Sequence, residues 1–136
     1  MKKIFILLCV VFLFTGCKKT IEKLQENAIV NAMTDGQWTI TSFVTDGVDV
    51  TSEYSQYKFQ FHSNRTVDAI FNGSLEKTGN WEGYAETMSI SAQFPNTSNP
   101  LLRINGSWHI DNNSWTFVVA SQQANGITST MRLDKL

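Results

Sequence analysis

From Gly36 to Leu136, apolar and polar residues alternate with a period of two, the spacing of strands that bury one face. Turn-forming residues divide this stretch into eight segments, at 37–44, 56–62, 66–72, 78–84, 87–93, 101–110, 114–121 and 127–135. The dividers are Thr45-Asp46-Gly47, His62 to Arg65, Asn72-Gly73, Ala85-Glu86, the run from Phe94 to Pro100, Asp111-Asn112-Asn113 and Asn125-Gly126. Both prolines fall in one of these loops, outside any strand. Upstream the period changes. Ile21, Leu24, Ala28, Ile29, Ala32 and Met33 recur at three-and-four spacing, Thr20 stands where a cap belongs, and Asp35-Gly36 ends the pattern. This predicts one amphipathic helix over 20–34.

The dry face of the strands carries Trp38, Ile40, Tyr57, Phe59, Phe61, Val67, Ala69 and Phe71. It continues through Trp81, Met88, Ile90, Ala92, Leu102, Ile104, Trp108, Ile110, Trp115, Phe117, Val119, Ile127, Met131 and Leu133. The wet face carries Lys58, Gln60, Asp68, Ser89, Ser91, Arg103, Asn105, His109, Thr128, Thr130 and Arg132. One dry and one wet face is the signature of an antiparallel meander. The prediction is an all-β fold, an eight-stranded antiparallel up-and-down barrel preceded by one short N-terminal helix. A two-sheet sandwich satisfies the same alternation. The lack of crossover helices excludes a parallel sheet.

The first residues, MKKIFILLCVVFLFTGC, place Lys2 and Lys3 before eleven apolar residues, Ile4 to Phe14, then small Thr15 and Gly16, then Cys17. The apolar run is too short to span a bilayer, which takes about 20 residues, and has the layout of a secretory leader. A cysteine directly after small residues resembles the bacterial lipoprotein signal. That resemblance implies cleavage after residue 16 and acylation of Cys17, so the protein partners a membrane through its N-terminal lipid. The division is then 1–16 leader, 17–35 lipidated cysteine, tether and helix, and 36–136 barrel. The leader takes Cys9 with it, so the mature chain has no second cysteine for a disulfide. Lys18-Lys19 follow Cys17 in place of the acidic run that resembles a surface-export signal in Bacteroidetes. The expected location is the outer membrane, on its periplasmic face.

At 136 residues the chain is long enough for one domain. With 42% hydrophobic and 17% charged residues it is too apolar for a disordered one. Eleven basic against twelve acidic side chains leave no excess to neutralise phosphates, which argues against nucleic acid as a partner.

Gly36-Gln37-Trp38 opens the first strand directly after the helix, and Gly-x-Trp recurs as Gly79-Asn80-Trp81 and Gly106-Ser107-Trp108. A Gly-x-Trp at that place resembles the lipocalin family and the lipocalin-like domains of Bacteroidetes lipoproteins. In that family the tryptophan closes one end of the barrel and a basic residue of the last strand packs across its indole. The resemblance assigns this closure to Trp38 and Arg132. It covers 36–136, and departs in lacking the family's second turn motif and any disulfide.

Catalytic chemistry is sparse. His62 and His109 have no neighbour at metal-ligand spacing, and Asp46, Asp49 and Glu53 are not spaced as an EF-hand loop. No nucleophile elbow and no paired acid and base emerge, so the expectation is a non-enzyme without cofactor or metal. Two functional readings remain. In one, Tyr57, Phe59, Phe61, Ala69, Phe71, Trp81, Ile90, Ala92, Trp108 and Phe117 line a pocket for a small apolar ligand inside the barrel. In the other these residues fill the barrel. The chain is then an interaction module that binds a protein or glycan through its outer face or its 45–55 and 94–100 loops. A large cavity favours the first reading and a filled interior the second.

Overall fold

The computed structural model describes residues 24–136. The leader, Cys17 and the first residues of the expected helix lie outside the described residues. Helix α1 covers 24–34 and leads through Asp35-Gly36 into the sheet. Nine strands follow: β1 Trp38–Thr45, β2 Val48–Asp49, β3 Tyr57–Phe61, β4 Thr66–Phe71, β5 Ser74–Tyr84, β6 Ser89–Gln93, β7 Gly106–Asn113, β8 Phe117–Ala124 and β9 Ile127–Lys135. All pairings are antiparallel, in the order β2-β1-β3-β4-β5-β6-β7-β8-β9, and β1 also pairs with β9. Strand β2 is a two-residue return on β1. The other eight strands form a closed antiparallel barrel with the short helix at its N-terminal side.

The wall is uneven. β1 and β9 pair from Trp38↔Lys135 to Thr45↔Ser129, whereas β1 and β3 meet only at Trp38↔Phe59. Beyond that point a 3-10 turn, Thr51–Tyr54, packs along β1. It is held there by the Phe43 amide, which donates to Thr51 Oγ1 at 2.9 Å, and by the Val50 amide on the Phe43 carbonyl at 2.9 Å. A second 3-10 turn, Leu101–Ile104, occupies the first part of the expected 101–110 strand. Leu101 and Ile104 are both buried, at the i, i+3 spacing of a helical turn and not the i, i+2 of a strand.

The strand pattern holds over most of the barrel and fails in two places. A bulge between Ile40 and Ser42 shifts the parity of β1, so Phe43 turns into the core. In β8 the buried residues are Val118 and Ala120, while Phe117 and Val119 are only partly covered. Met88, Leu102, Trp115 and Ile127, expected inside, sit exposed at the turns and strand ends.

The three Gly-x-Trp tryptophans are all buried, and each indole N–H donates to a backbone carbonyl: Trp38 to Met33 at 2.9 Å, Trp81 to His62 at 2.9 Å and Trp108 to Ile104 at 2.8 Å. This satisfies the one polar atom each ring brings into the core. Gly79 serves close approach, since a Cβ there would stand 2.5 Å from the Gln93 carbonyl oxygen.

Candidate functional site

Aromatic rings fill the barrel. Phe43 stacks on Tyr54 with centroids 4.8 Å apart and meets Trp108 edge-on at 5.7 Å. Phe61 meets Trp81 edge-on at 5.3 Å, and Phe59 lies between Tyr57 and Phe94 at 6.0 and 6.4 Å. The space left inside is about 30 Å³, bounded by apolar groups including Phe59, Phe61, Ile90, Ala92 and Trp108. Ligand pockets typically measure about 300–1,000 Å³. An eight-stranded barrel is just wide enough for its own side chains, and here they are large.

Both ends are closed as well. Helix α1 crosses one end, where the 62–65, 85–88 and 113–116 turns also lie. It approaches so closely that a Cβ at Gly83 would stand 2.7 Å from Ile29 Cγ2. At the opposite end the two 3-10 turns form a plug. Tyr54, Phe94 and Leu101 are buried there, and the Tyr54 hydroxyl donates to the Pro100 carbonyl at 2.9 Å. Arg103 of the second turn donates to Glu53 of the first. Burial pushes the Tyr54 hydroxyl up to about 12, against the lowering influence of the nearby Arg103 guanidinium.

Besides a cleft of about 370 Å³ on the outer wall between Arg65, Glu82 and Gln93, two surface clefts lie next to these closures. At the plugged end a cleft of about 250 Å³ lies between Tyr57, Glu76 and Lys77 on one side and Asn96, Thr97, Ser98, Asn99 and Leu101 on the other. The Tyr57 hydroxyl donates to Glu76 Oε2 at 2.5 Å, and burial followed by this carboxylate raises it far above the usual phenol range. Lys77 Nζ donates to the carbonyls of Pro95 and Asn96 at 2.9 and 2.7 Å, which fixes the loop against β5. At the helix end an apolar groove of about 360 Å³ lies between α1, at Ala28, Ile29 and Ala32, and the turn residues Met88 and Trp115.

The residues expected to line an internal pocket divide as follows. Phe59, Phe61, Ile90, Ala92 and Trp108 border the small internal space, and Tyr57, Ala69 and Trp81 are packed in the wall around it. Phe71, at 38% exposure, lies outside with its ring 5.0 Å from Tyr57. Phe117 also faces outward, because β8 buries its other parity. The closure pair needs correction. β9 buries Ser129, Met131 and Leu133, so Arg132 points outward, where its guanidinium covers Phe117 at 4.5 Å and bonds Asp134 through two nitrogens. Lys135 has the inward parity, and its Nζ stands 5.1 Å from the Trp38 ring centroid and 5.3 Å from that of Trp115. Lys135 thus brings a cationic group to the rim of the inward face. Of the histidines, His62 pairs with Asp68 at 2.8 Å and His109 with Asp111 at 3.0 Å.

The sequence offered the outer face and the 45–55 and 94–100 loops as alternatives for binding; the 94–100 loop borders the polar cleft, whose opposite wall the sequence did not indicate. Glu76 and Lys77 precede the expected start of the strand at 78, and nothing in their spacing links them to Asn96–Asn99.

No protein-family model matches the chain, and no curated protein does. Among solved structures it is similar to a DUF4847 family protein from Bacteroides vulgatus, at 9% sequence identity and a TM-score of 0.56. The match covers 78% of this chain and 96% of that one. At that identity the likeness concerns the fold alone.

Proposed function

We propose that the protein is a lipocalin-like, lipid-anchored protein of the cell envelope that works as a non-enzymatic binding module and not as a carrier of apolar molecules. The observation that carries this reading is the interior: about 30 Å³ of free space, closed by α1 at one end and by the plug at the other. A fatty acid or similar ligand would have to displace the core. The polar cleft at the plugged end offers instead a carboxylate, a phenol, amides and hydroxyls, together with the partly exposed Phe71 ring beside Tyr57. That mixture suits a polyhydroxylated ligand such as a glycan, recognised by hydrogen bonds and an aromatic face. The anchor reading rests on Phe14-Thr15-Gly16-Cys17, and Lys18-Lys19 favour the periplasmic face of the outer membrane.

The test is a binding comparison on the purified full-length protein. Titration calorimetry against a panel of cell-envelope glycans should give heat that Glu76→Ala abolishes. A fatty-acid panel should leave tryptophan emission unchanged. Quenching by a fatty acid, with no glycan bound, would overturn the reading in favour of an internal pocket. For the anchor, Cys17→Ser should move the protein from the membrane pellet to the soluble fraction.

A further inference from the structure

We propose that the helix end of the barrel is a membrane-docking face, in which Trp115, Met88 and Leu24 enter the headgroup region of an anionic phospholipid bilayer. The proposal rests on the lipid-anchor reading of Cys17 and adds an orientation to it. The first observation is exposure. Trp115 is 55% exposed, Met88 44% and Leu24 62%; Val48, Leu75 and Ile127 are exposed at the turns of the opposite end as well, so exposure alone does not choose between the ends and the choice falls to arrangement and tethering. The second is arrangement. Trp115 and Met88 come from two different turns, yet both flank the apolar groove beside α1, the helix that begins its described course at Leu24. Residues scattered singly over a surface need no explanation, but a groove rimmed by two of them is a patch.

The third observation is the length of chain between anchor and groove. The step from Cys17 to Leu24 reaches at most about 25 Å even fully extended. An acylated Cys17 therefore holds the start of α1 within that distance of the bilayer surface, and no comparable tether reaches the plugged end. Charge agrees with this choice. The tether carries Lys18, Lys19 and Lys23 against the single acid Glu22, an excess that anionic headgroups attract. Tryptophan is also the side chain whose ring prefers the headgroup level, with an apolar body and one polar N–H. Glu86, in the same turn as Met88, opposes deeper insertion and sets the contact at the interface.

The experiment uses the three buried tryptophans to advantage, because Trp115 alone is open to a quencher. The full-length acylated protein is reconstituted into phosphatidylcholine–phosphatidylglycerol vesicles, with or without phosphatidylcholine brominated on its acyl chains. Bromine quenches only at short range. The expected result is a bromine-dependent loss of emission in the parent that disappears in Trp115→Phe and shrinks in Met88→Asp, while all three proteins float with the vesicles. Circular dichroism on both variants checks that they fold. A parent that floats but shows no bromine-dependent loss overturns the docking face and leaves the anchor standing. A parent that does not float overturns both. Emission that ignores the bilayer but shifts with protein concentration assigns the face to a second copy of the chain, and the proposal falls.

Discussion

Lys135 and Trp38 face each other across the seam that closes the barrel, as register partners of β9 and β1, with the ammonium 5.1 Å from the indole centroid. The ammonium is also sheltered by Trp115, and its one carboxylate neighbour, Asp35, stands at 3.6 Å. No hydrogen-bond acceptor reaches it among the described residues. The cation is therefore held by ring faces and a loose ion pair. A double-mutant cycle with Trp38→Phe and Lys135→Met should give a coupling of about 0.5–2 kcal/mol in urea unfolding. The same cycle with Arg132→Met in place of Lys135→Met should be additive within error, because Arg132 lies over Phe117 on the outside.

A solid barrel resists filling. Ala69 is fully buried and Ala92 borders the small internal space. Enlarging either to Leu should lower stability by about 1–3 kcal/mol, the usual cost of overpacking. An open calyx would accept both changes with little loss. Chemical denaturation of the two variants distinguishes the cases.

The plug depends on Tyr54. Tyr54→Phe removes the hydrogen bond to the Pro100 carbonyl and should cost about 1 kcal/mol. Tyr54→Ala also removes the ring stacked on Phe43 and should cost about 3–5 kcal/mol. In a spectrophotometric titration, one tyrosine absent from Tyr54→Phe should ionise only near pH 12 in the parent.

Of the four carboxylates depressed in the fold, Asp49, Asp68, Asp111 and Asp134, two offer a direct test of how the outer face couples to pH. Asp134 titrates below the usual range, chiefly because Arg132 and then Thr41 donate to it. Asp68 does so because His62 and then Thr78 donate. A carboxyl depressed in the folded state stabilises above its unfolded value, about 3.9, and that contribution fades as pH falls through the folded value. Asp134→Asn and Asp68→Asn should therefore each lower the melting temperature at pH 7, and the gap to the parent should narrow below about pH 4. A gap that stays constant between pH 7 and pH 3 would count against these pairs.

The number and order of the barrel strands were legible because turn signals and two-residue alternation agree at most positions. They disagree in β8, where Trp115, Phe117 and Val119 compete with Val118 and Ala120 for the interior. Size suggested the first set. The barrel takes the second: Ala120 pairs with Ile110 and Met131, Val118 pairs with Leu133, and Arg132 covers Phe117 from outside. Phe43 was hidden by a bulge, which no alternation rule anticipates. The plug was missed for another reason. Residues 51–54 carry no period, and 101–104 place two apolar residues three apart inside an apparent strand. The loop that leads into the second turn, Asn96 to Asn99, forms one wall of the polar cleft, and its opposite wall on β5 could not be paired with it before the fold was known. Reading the last strand's parity through to its end would have selected Lys135 over Arg132.

The seam that joins β1 to β9 also governs when folding can finish. A chain made from its N-terminus has β1 ready early, but the partner for most of its length, β9, is the last of the barrel strands to be made. The pairing with the greatest sequence separation therefore closes last, and the ring cannot be tested for fit until residue 135 has arrived. Loss of the nine residues of β9 would do more than delete one stave of eight. It would leave β1 and β8 with raw backbone edges, each a template for pairing with another copy. Strand β9 is thus the checkpoint of the barrel, where an open sheet becomes a closed surface and a chain without it becomes a seed for aggregation.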